Sequence, residues 1–212
     1  MAHETGMLNW LQIPLPELFA VLAAVAFAAG LNVYATVAAL GLLARLGHVP
    51  LPPELLLLET WPVIAVSVVL FVIEFFADKI PAFDLLWSAL HTFIRVPVAG
   101  LIAYGATRQL TPPQQLLAAF LGALIALAAH GGKTALRAAV TPSPEPFSNI
   151  SLSLSEDVLA VGLTWLATRH PYAAASIALA LIIIIILLGR LVLNALRALF
   201  YGAEKELAGG SA

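Results

Sequence analysis

The stretch YAAASIALALIIIIILL, residues 172–188, decides the class of fold, because it is apolar throughout apart from Tyr172 and Ser176. A helix of about 20 residues crosses the roughly 30 Å hydrocarbon core of a bilayer. The run Ile182–Ile186 is β-branched, but an open strand in lipid would leave its backbone groups unpaired. We therefore predict a membrane-spanning helix from about Tyr172 to Phe200.

The remainder of the 212-residue chain has the same apolar character. Hydrophobic residues make up 61% of it and charged residues 10%, and its mean hydropathy is +0.98. A soluble domain carries about 25% charged residues and cannot hide this apolar excess in so small a core. Soluble, disordered and fibrous classes are thereby excluded. The net charge of −2 argues against nucleic acid as a partner, and the lack of cysteine excludes thiolate metal sites.

Six segments are long and apolar enough, or nearly so, to be predicted as spans. Ser153 and Glu156 have the spacing of a capping box at the start of the fifth. We predict an all-α membrane protein with about six transmembrane helices in one domain, residues 1–212. The predicted spans cover residues 18–43, 61–77, 85–107, 114–140, 154–168 and 172–200.

Two windows of the chain suggest an internal repeat. Ala26–Ala35 aligns with Ala126–Ala135 at an offset of 100 residues, and four alanines coincide. Both windows are alanine-rich, which leaves chance agreement as the alternative. With three spans each, the halves 17–106 and 114–200 would be inverted repeats, in which short or broken helices at matching positions indicate a transporter site.

Acidic residues lie where a charge in the membrane is costly. Glu74 and Asp78 are four residues apart on one helix face near the end of the second span. Two like charges there repel, so either a cation lies between them or one is protonated. The alternative is that both reach water at the headgroups.

A polar stripe follows one face of the third span. It consists of Asp84, Ser88, His91 and Arg95, at steps of four, three and four residues. Arg95 lies about 15 Å along the helix from Asp84, too deep to reach that end by snorkelling. We expect it to meet an acid or an anionic ligand in the bundle, with a purely structural ion pair as the alternative.

The fourth span contains the strongest candidate anion site. His130, Lys133 and Arg137 share one face, and Gly131-Gly132 would let the helix unwind beside them. The start of a half-helix has free N–H groups and attracts anions. In the alternative interpretation, the glycines only allow close helix packing and the basic side chains snorkel to the surface.

The segment Ser148–Ser155 alternates polar and apolar residues. A period of two predicts extended chain, which at membrane depth must line a cavity or be buried in protein. A re-entrant strand before the fifth helix would fit this pattern, and an interfacial loop is the alternative. In the loop, Glu156 and Asp157 would be first-turn acids.

Together these patterns define two sets of candidate site residues. Catalytic motifs are absent, so we predict no enzyme, no cofactor and no metal. The histidines could carry protons. The predicted substrate-binding residues are Lys133, Arg137, Arg95, His130, Asn32 and Tyr34. The predicted ion-pairing and proton-coupling residues are Glu74, Asp78, Asp84, His91, Glu156 and Asp157.

Several of these residues carry a family resemblance. The stretches AAGLNVY (28–34), EFFADKIP (74–81) and HTFIR (91–95), and the later Lys133 and Arg137, resemble the bacterial membrane family called domain of unknown function 4126. The resemblance covers nearly the whole chain. It implies an integral protein of the bacterial cytoplasmic (inner) membrane and transfers no activity.

The function predicted from these observations is a small transporter, channel or lipid flippase. It would move an anionic solute or headgroup, with proton coupling as an option. Membrane lipids are its predicted partners. A homodimer is one alternative for its assembly. A non-catalytic accessory or scaffold subunit, whose charges only fix helix register, is the alternative function.

Overall fold

The computed structural model of the protein describes residues 13–78, 80–140 and 146–209. For residues 81–86, 88, 137–140, 146–149, 193, 195–196 and 198–209, the description is of the backbone alone. Within these ranges the chain forms seven α-helices and one 3₁₀ helix, without strands, which confirms the all-α class. The helices are α1 (Leu15–Leu31), α2 (Val33–Arg45), a 3₁₀ helix (Pro53–Glu59), α3 (Trp61–Ala77), α4 (Pro81–Ala106), α5 (Pro112–Val140), α6 (Pro146–Arg169) and α7 (Pro171–Gly209).

Prolines begin most of the long helices. Pro81, Pro112, Pro146 and Pro171 are each the first residue of one. Proline suits this position because the first N–H of a helix has no intrahelical partner and the ring presets the helical φ angle. The predicted starts of the fourth and sixth spans, residues 114 and 172, therefore lie within two residues of the helix starts, whereas α4 begins four residues before the predicted third span and α7 extends nine residues past the predicted end of the sixth.

The number of spans is lower than the six predicted. In the described part of the chain, four helices contain a window long and apolar enough to cross a membrane: Ala89–Ala106, Pro112–Leu136, Ile150–Arg169 and Pro171–Val192. A fifth span results if the 3₁₀ helix and α3, which meet at a 60° bend, are taken together. The predicted first span, residues 18–43, is instead two shorter apolar helices, α1 and α2.

The division between α1 and α2 falls at Asn32, which has extended backbone angles (φ −149°, ψ 102°). The Asn32 N–H donates to Ala28 O and ends α1, while its side-chain Oδ1 accepts from the N–H of Ala35 and caps α2. The Asn32 carbonyl accepts from the Thr36 hydroxyl. A single residue thus forms hydrogen bonds with backbone groups of two helix ends, which lowers the free-energy cost of a break inside the bundle.

Helix α1 is the centre of the bundle, in contact with α4, α5, α6 and α7. Its residues from Val21 to Leu31 are mostly alanine and valine, and nearly all are buried. At Gly30 an added Cβ would lie 2.4 Å from Ala126 O and 2.7 Å from Ala129 Cβ. The α1–α5 crossing therefore requires glycine at this position.

Two local predictions are wrong. Helix α5 runs without interruption through Gly131-Gly132, so the expected unwinding does not occur there. Residues 148–155 lie in α6, not in extended chain. In α6 the buried residues Ser153, Glu156, Asp157 and Ala160 recur at helical spacing, whereas Leu154 and Val158 face outward. The buried face of α6 is polar here, and of the alternating serines 151, 153 and 155 only Ser153 lies on it.

Candidate functional site: a buried charged cluster at the helix break

Six ionisable side chains lie at the centre of the bundle beside the α1–α2 break. Four are acidic and two are basic, and all are buried. Helices α3, α4, α5 and α6 each contribute at least one of them. This central charged cluster consists of Glu74, Asp78, Arg95, Lys133, Glu156 and Asp157.

Lys133 is the hub of the cluster. Its Nζ lies 3.2 Å from Glu156 Oε2, 3.3 Å from Asp78 Oδ2 and 3.5 Å from Glu74 Oε1. It also donates to Leu31 O, 3.2 Å away, at the end of α1. One ammonium group thus joins α3 and α6 to a carbonyl at the break.

Arg95 holds the other side of Glu74. Its Nη2 forms an ion pair with Glu74 Oε1, and its Nη1 lies 2.9 Å from Nδ1 of His130. Because a guanidinium can only donate, His130 Nδ1 must accept. The ring proton therefore sits on Nε2, which donates to the Thr92 hydroxyl 2.8 Å away. This arrangement makes His130 neutral.

Asp157 is held by the residue that breaks the helix. Asn32 Nδ2 donates to Asp157 Oδ1 over 2.9 Å. Among the residues with described side chains, no lysine, arginine or histidine lies within ion-pair distance of Asp157. It is therefore the one acid of the cluster whose contact in the structure is a neutral amide.

Three aromatic rings pack together at the start of α2. Tyr34 meets His91 edge-on, with ring centroids 5.6 Å apart, and His91 stacks on Trp87 at 4.2 Å. His91 Nδ1 donates to the Trp87 carbonyl, which can only accept. The Tyr34 and His91 side chains are buried, and these contacts fix the orientation of the His91 ring.

The charge balance of the cluster is negative. Four carboxylates face the fixed positive charges of Arg95 and Lys133, and His130 is neutral. In a low-dielectric interior such an excess is costly unless further positive charge is present. Within the described ranges no group of three or more His, Asp or Glu side chains is arranged to hold a metal ion. With all four carboxyl groups ionised, the six side chains of the cluster leave two negative charges without a fixed positive partner among them.

The polar atoms of the site that are buried without a hydrogen-bond partner among the described residues include four, on Glu74, Arg95, Ser153 and Asp157. Two belong to groups already ion-paired through other atoms, namely Glu74 Oε2 and Arg95 Nε. The other two are on one face of α6, namely Ser153 Oγ and Asp157 Oδ2.

The structure brings ten of the twelve predicted site residues around this centre. Asp84 and Arg137 are the other two, and their side chains lie outside the description. Sequence reasoning missed Thr92 and the Leu31 carbonyl, and it assigned Ser153 to a helix cap. The assembled residues are Asn32, Tyr34, Glu74, Asp78, His91, Arg95, His130, Lys133, Glu156 and Asp157.

The outside of the bundle has the opposite character. Phe93, Leu101, Leu116, Val158 and Leu187 are large apolar side chains that are more than half exposed on α4, α5, α6 and α7. Apolar surface of this extent is typical of contact with lipid. An apolar exterior around a charged interior, with four helices of spanning length, indicates an integral membrane protein.

Comparison with known families agrees with this class. The family model described as "Domain of unknown function (DUF4126)" matches residues 8–190, which is most of the chain. The chain therefore belongs to this family, as the resemblance in its sequence predicted. No curated protein and no solved structure matches it.

Proposed function

We propose that this chain is a small membrane transporter that moves an anionic solute or anionic lipid headgroup, together with protons, across the bacterial cytoplasmic membrane. The observation that carries the proposal is the position of Lys133. Its ammonium lies inside the bundle between three carboxylates and the Leu31 carbonyl, where α1 is interrupted. Charged side chains around a discontinuous helix are typical of transporter sites near the bilayer midplane.

The ion pairs suggest how protons and an anion would be coupled. The carboxylates of Glu74, Asp78 and Glu156 already contact the Lys133 ammonium, so an incoming anion has to replace one of them. Protonation of a carboxyl group in the cluster removes one of the excess negative charges, so an anion meets less repulsion beside Lys133. Protons and anion then favour each other's binding, and by linkage each raises the affinity for the other by the same factor.

The inverted repeat remains part of this proposal. The two aligned windows contact each other, since Gly30 packs on Ala126 and Lys133 reaches Leu31. Their helices differ, because the first window is broken at Asn32 and the second is continuous. In our proposal the halves 17–106 and 114–200 are inverted repeats that have diverged, with the broken member as the moving one.

The experiment is a flux assay with purified protein in vesicles of phosphatidylethanolamine and phosphatidylglycerol. An internal pH dye reports proton entry when chloride, phosphate or succinate is added outside, and a quenchable labelled phosphatidylglycerol reports lipid movement. Wild-type protein is expected to acidify the vesicle interior with at least one anion, or to move the labelled lipid. Transport is contradicted if neither signal exceeds that of protein-free vesicles, and the scaffold alternative is then favoured.

A matched pair of variants tests the site. Lys133→Gln with Glu156→Gln removes one buried charge of each sign, so the fold is expected to remain while flux falls to the protein-free rate. Lys133→Ala alone should also abolish flux. The control is Arg108→Ala, which removes an exposed ion pair with Glu54 and should leave flux unchanged. Flux retained in the folded double variant would contradict the assignment of Lys133.

A further inference from the structure

Two unsatisfied oxygens lie on one face of α6. Ser153 and Asp157 are four residues apart and therefore neighbours on the helix surface. Ser153 is fully buried and Asp157 is 5% exposed. Ser153 Oγ and Asp157 Oδ2 have no hydrogen-bond partner in the described part of the chain. Buried polar groups of this kind require an explanation, because an unpaired polar group has lost its hydration without gaining a hydrogen bond in return.

Other hydroxyls in this chain show that Ser153 is unusual. Thr36, Thr107, Thr164 and Ser176 each donate to the carbonyl four residues earlier. That bond satisfies a hydroxyl within its own helix. Ser153 does not make it, so its hydroxyl is available to a group next to it on the face of α6.

Asp157 also differs from the other acids of the cluster. Glu74, Asp78 and Glu156 lie within 3.5 Å of Lys133, whereas the structure gives Asp157 only the Asn32 amide. The charged groups that act on it from neighbouring elements are Lys133 on α5 and Glu74 and Asp78 on α3. Glu156 precedes it on α6, and the described arginines of α7, Arg190 and Arg197, are exposed. Among these groups acids outnumber bases around Asp157.

We propose that Asp157 is the proton-binding site of this protein, with Ser153 as the hydrogen-bond acceptor of the bound proton. One proton adds to Asp157 Oδ2 and creates an O–H donor. In this proposal the new donor is directed at the Ser153 hydroxyl, its neighbour one turn earlier on α6, while Oδ1 remains a carbonyl oxygen that accepts from Asn32. A single proton therefore satisfies both unpaired atoms and removes one of the excess negative charges. This inference rests on the proposed function, since it names the carrier of the coupled proton.

The assignment gives the proton pathway to a carboxyl, not to the histidines. His130 Nδ1 already accepts from Arg95, so a proton there would face the guanidinium. His91 Nδ1 already donates to the Trp87 carbonyl. Asp157, in contrast, has an oxygen without a partner, and Asn32 connects it directly to the α1–α2 break. Release of its proton therefore creates a buried negative charge beside the break.

Infrared spectroscopy of the protein in lipid tests the assignment without requiring flux. Wild-type protein with isotope-labelled aspartate is expected to show the carbonyl band of a protonated, buried carboxyl at neutral pH. The band should disappear at alkaline pH and be lost at every pH in Asp157→Asn, which mimics the neutral acid. Ser153→Ala should keep the band but shift it, since its hydrogen bond is removed. The control Glu156→Gln should retain the band.

The outcomes separate this inference from the proposed function. A band that persists in folded Asp157→Asn, or a wild-type spectrum without any protonated aspartate, would overturn the assignment of Asp157. A band lost in Asp157→Asn, from a wild-type protein that moves neither anion nor lipid, would support the proton site and defeat the transporter proposal. If wild-type flux is present, Asp157→Asn should move the anion without the accompanying proton.

Discussion

The helix break at Asn32 and the glycine pair Gly131-Gly132 lie in two alanine-rich windows that are 100 residues apart in sequence, yet only the first window interrupts its helix. Asn32 ends α1 and caps α2 through its own N–H and side chain. The glycines stay helical within α5. The helix is thus interrupted at Asn32, whose polar groups form hydrogen bonds with both new helix ends. It stays continuous at the glycines, which provide backbone freedom but no hydrogen-bond partner.

The difference shows what stabilises an irregular backbone at the centre of a membrane protein. Free backbone groups that are buried in the bundle need hydrogen-bond partners from the protein itself. At Asn32 the partners are present, including Lys133 on Leu31 O. Glycine lowers the cost of an unusual φ angle but supplies no partner. We therefore expect the polar network, not the glycines, to determine stability here.

The largest effect is expected from Arg95→Met, which removes the ion-pair partner of Glu74 inside the protein. Both side chains are fully buried. Breaking a buried pair on one side leaves an uncompensated charge and costs about 3–5 kcal/mol. The free energy of unfolding, measured by titration with SDS in mixed micelles, should fall by that amount.

The double variant Arg95→Met with Glu74→Met distinguishes charge from packing. It removes both charges and replaces them by flexible apolar chains, so most of the lost stability should return. A double variant no more stable than Arg95→Met would mean that the arginine acts mainly by filling space. The ion pair between Arg95 and Glu74 would then not be what determines stability in this part of the cluster.

A smaller loss is expected from Asn32→Ala. The change removes the cap on α2, worth about 1 kcal/mol, and the buried bond to Asp157, worth about 1.5–3 kcal/mol for a charged partner and less for a neutral one. We expect a total loss of about 2–3 kcal/mol in the same titration. Faster amide hydrogen exchange at Ala35 should accompany it, because its N–H loses the acceptor.

The matched control is Asn194→Ala on the exposed surface of α7. Its free energy of unfolding should stay within about 0.5 kcal/mol of the wild-type value. If Asn32→Ala were as mild as this control, the break would be held by tertiary packing alone. The distinction between Asn32 and the glycine pair would then lose its basis.

The parts of the fold that were predicted well depend on composition and on local end signals. Long apolar runs require helices in lipid, and the prolines at residues 81, 112 and 171 fix where three of them begin. The number of spans was overestimated, because hydropathy does not distinguish one long helix from two short ones. The division at Asn32 depends on Ala35 and Asp157, and the second of these is 125 residues away in sequence.

Which residues form the site was predicted better than which of them contact each other. Charged residues in apolar segments are costly, so Arg95 and Lys133 were expected to meet acids in the interior. Which acid each would meet depends on how four helices are placed, and the sequence contains no such information. Extended chain was predicted in the α6 segment because polar and apolar residues alternate over 148–155, but burial there follows the helical period, with Ser153 buried and Ser151 and Ser155 exposed. In a membrane bundle the buried face can be the polar one.

The smallest effects are expected at the glycine pair itself, and the two positions should differ in sign. A Cβ at Gly131 meets nothing within 4 Å, so Gly131→Ala should raise stability by about 0.5–1 kcal/mol through helix propensity. A Cβ at Gly132 would lie 2.5 Å from Ile185 Cδ1, so Gly132→Ala should lower stability by about 1–2 kcal/mol through overpacking. Both follow from the SDS titration. A large loss at Gly131 would mean that α5 unwinds there in another state of the protein, and the two halves would then be alike in having a functional break.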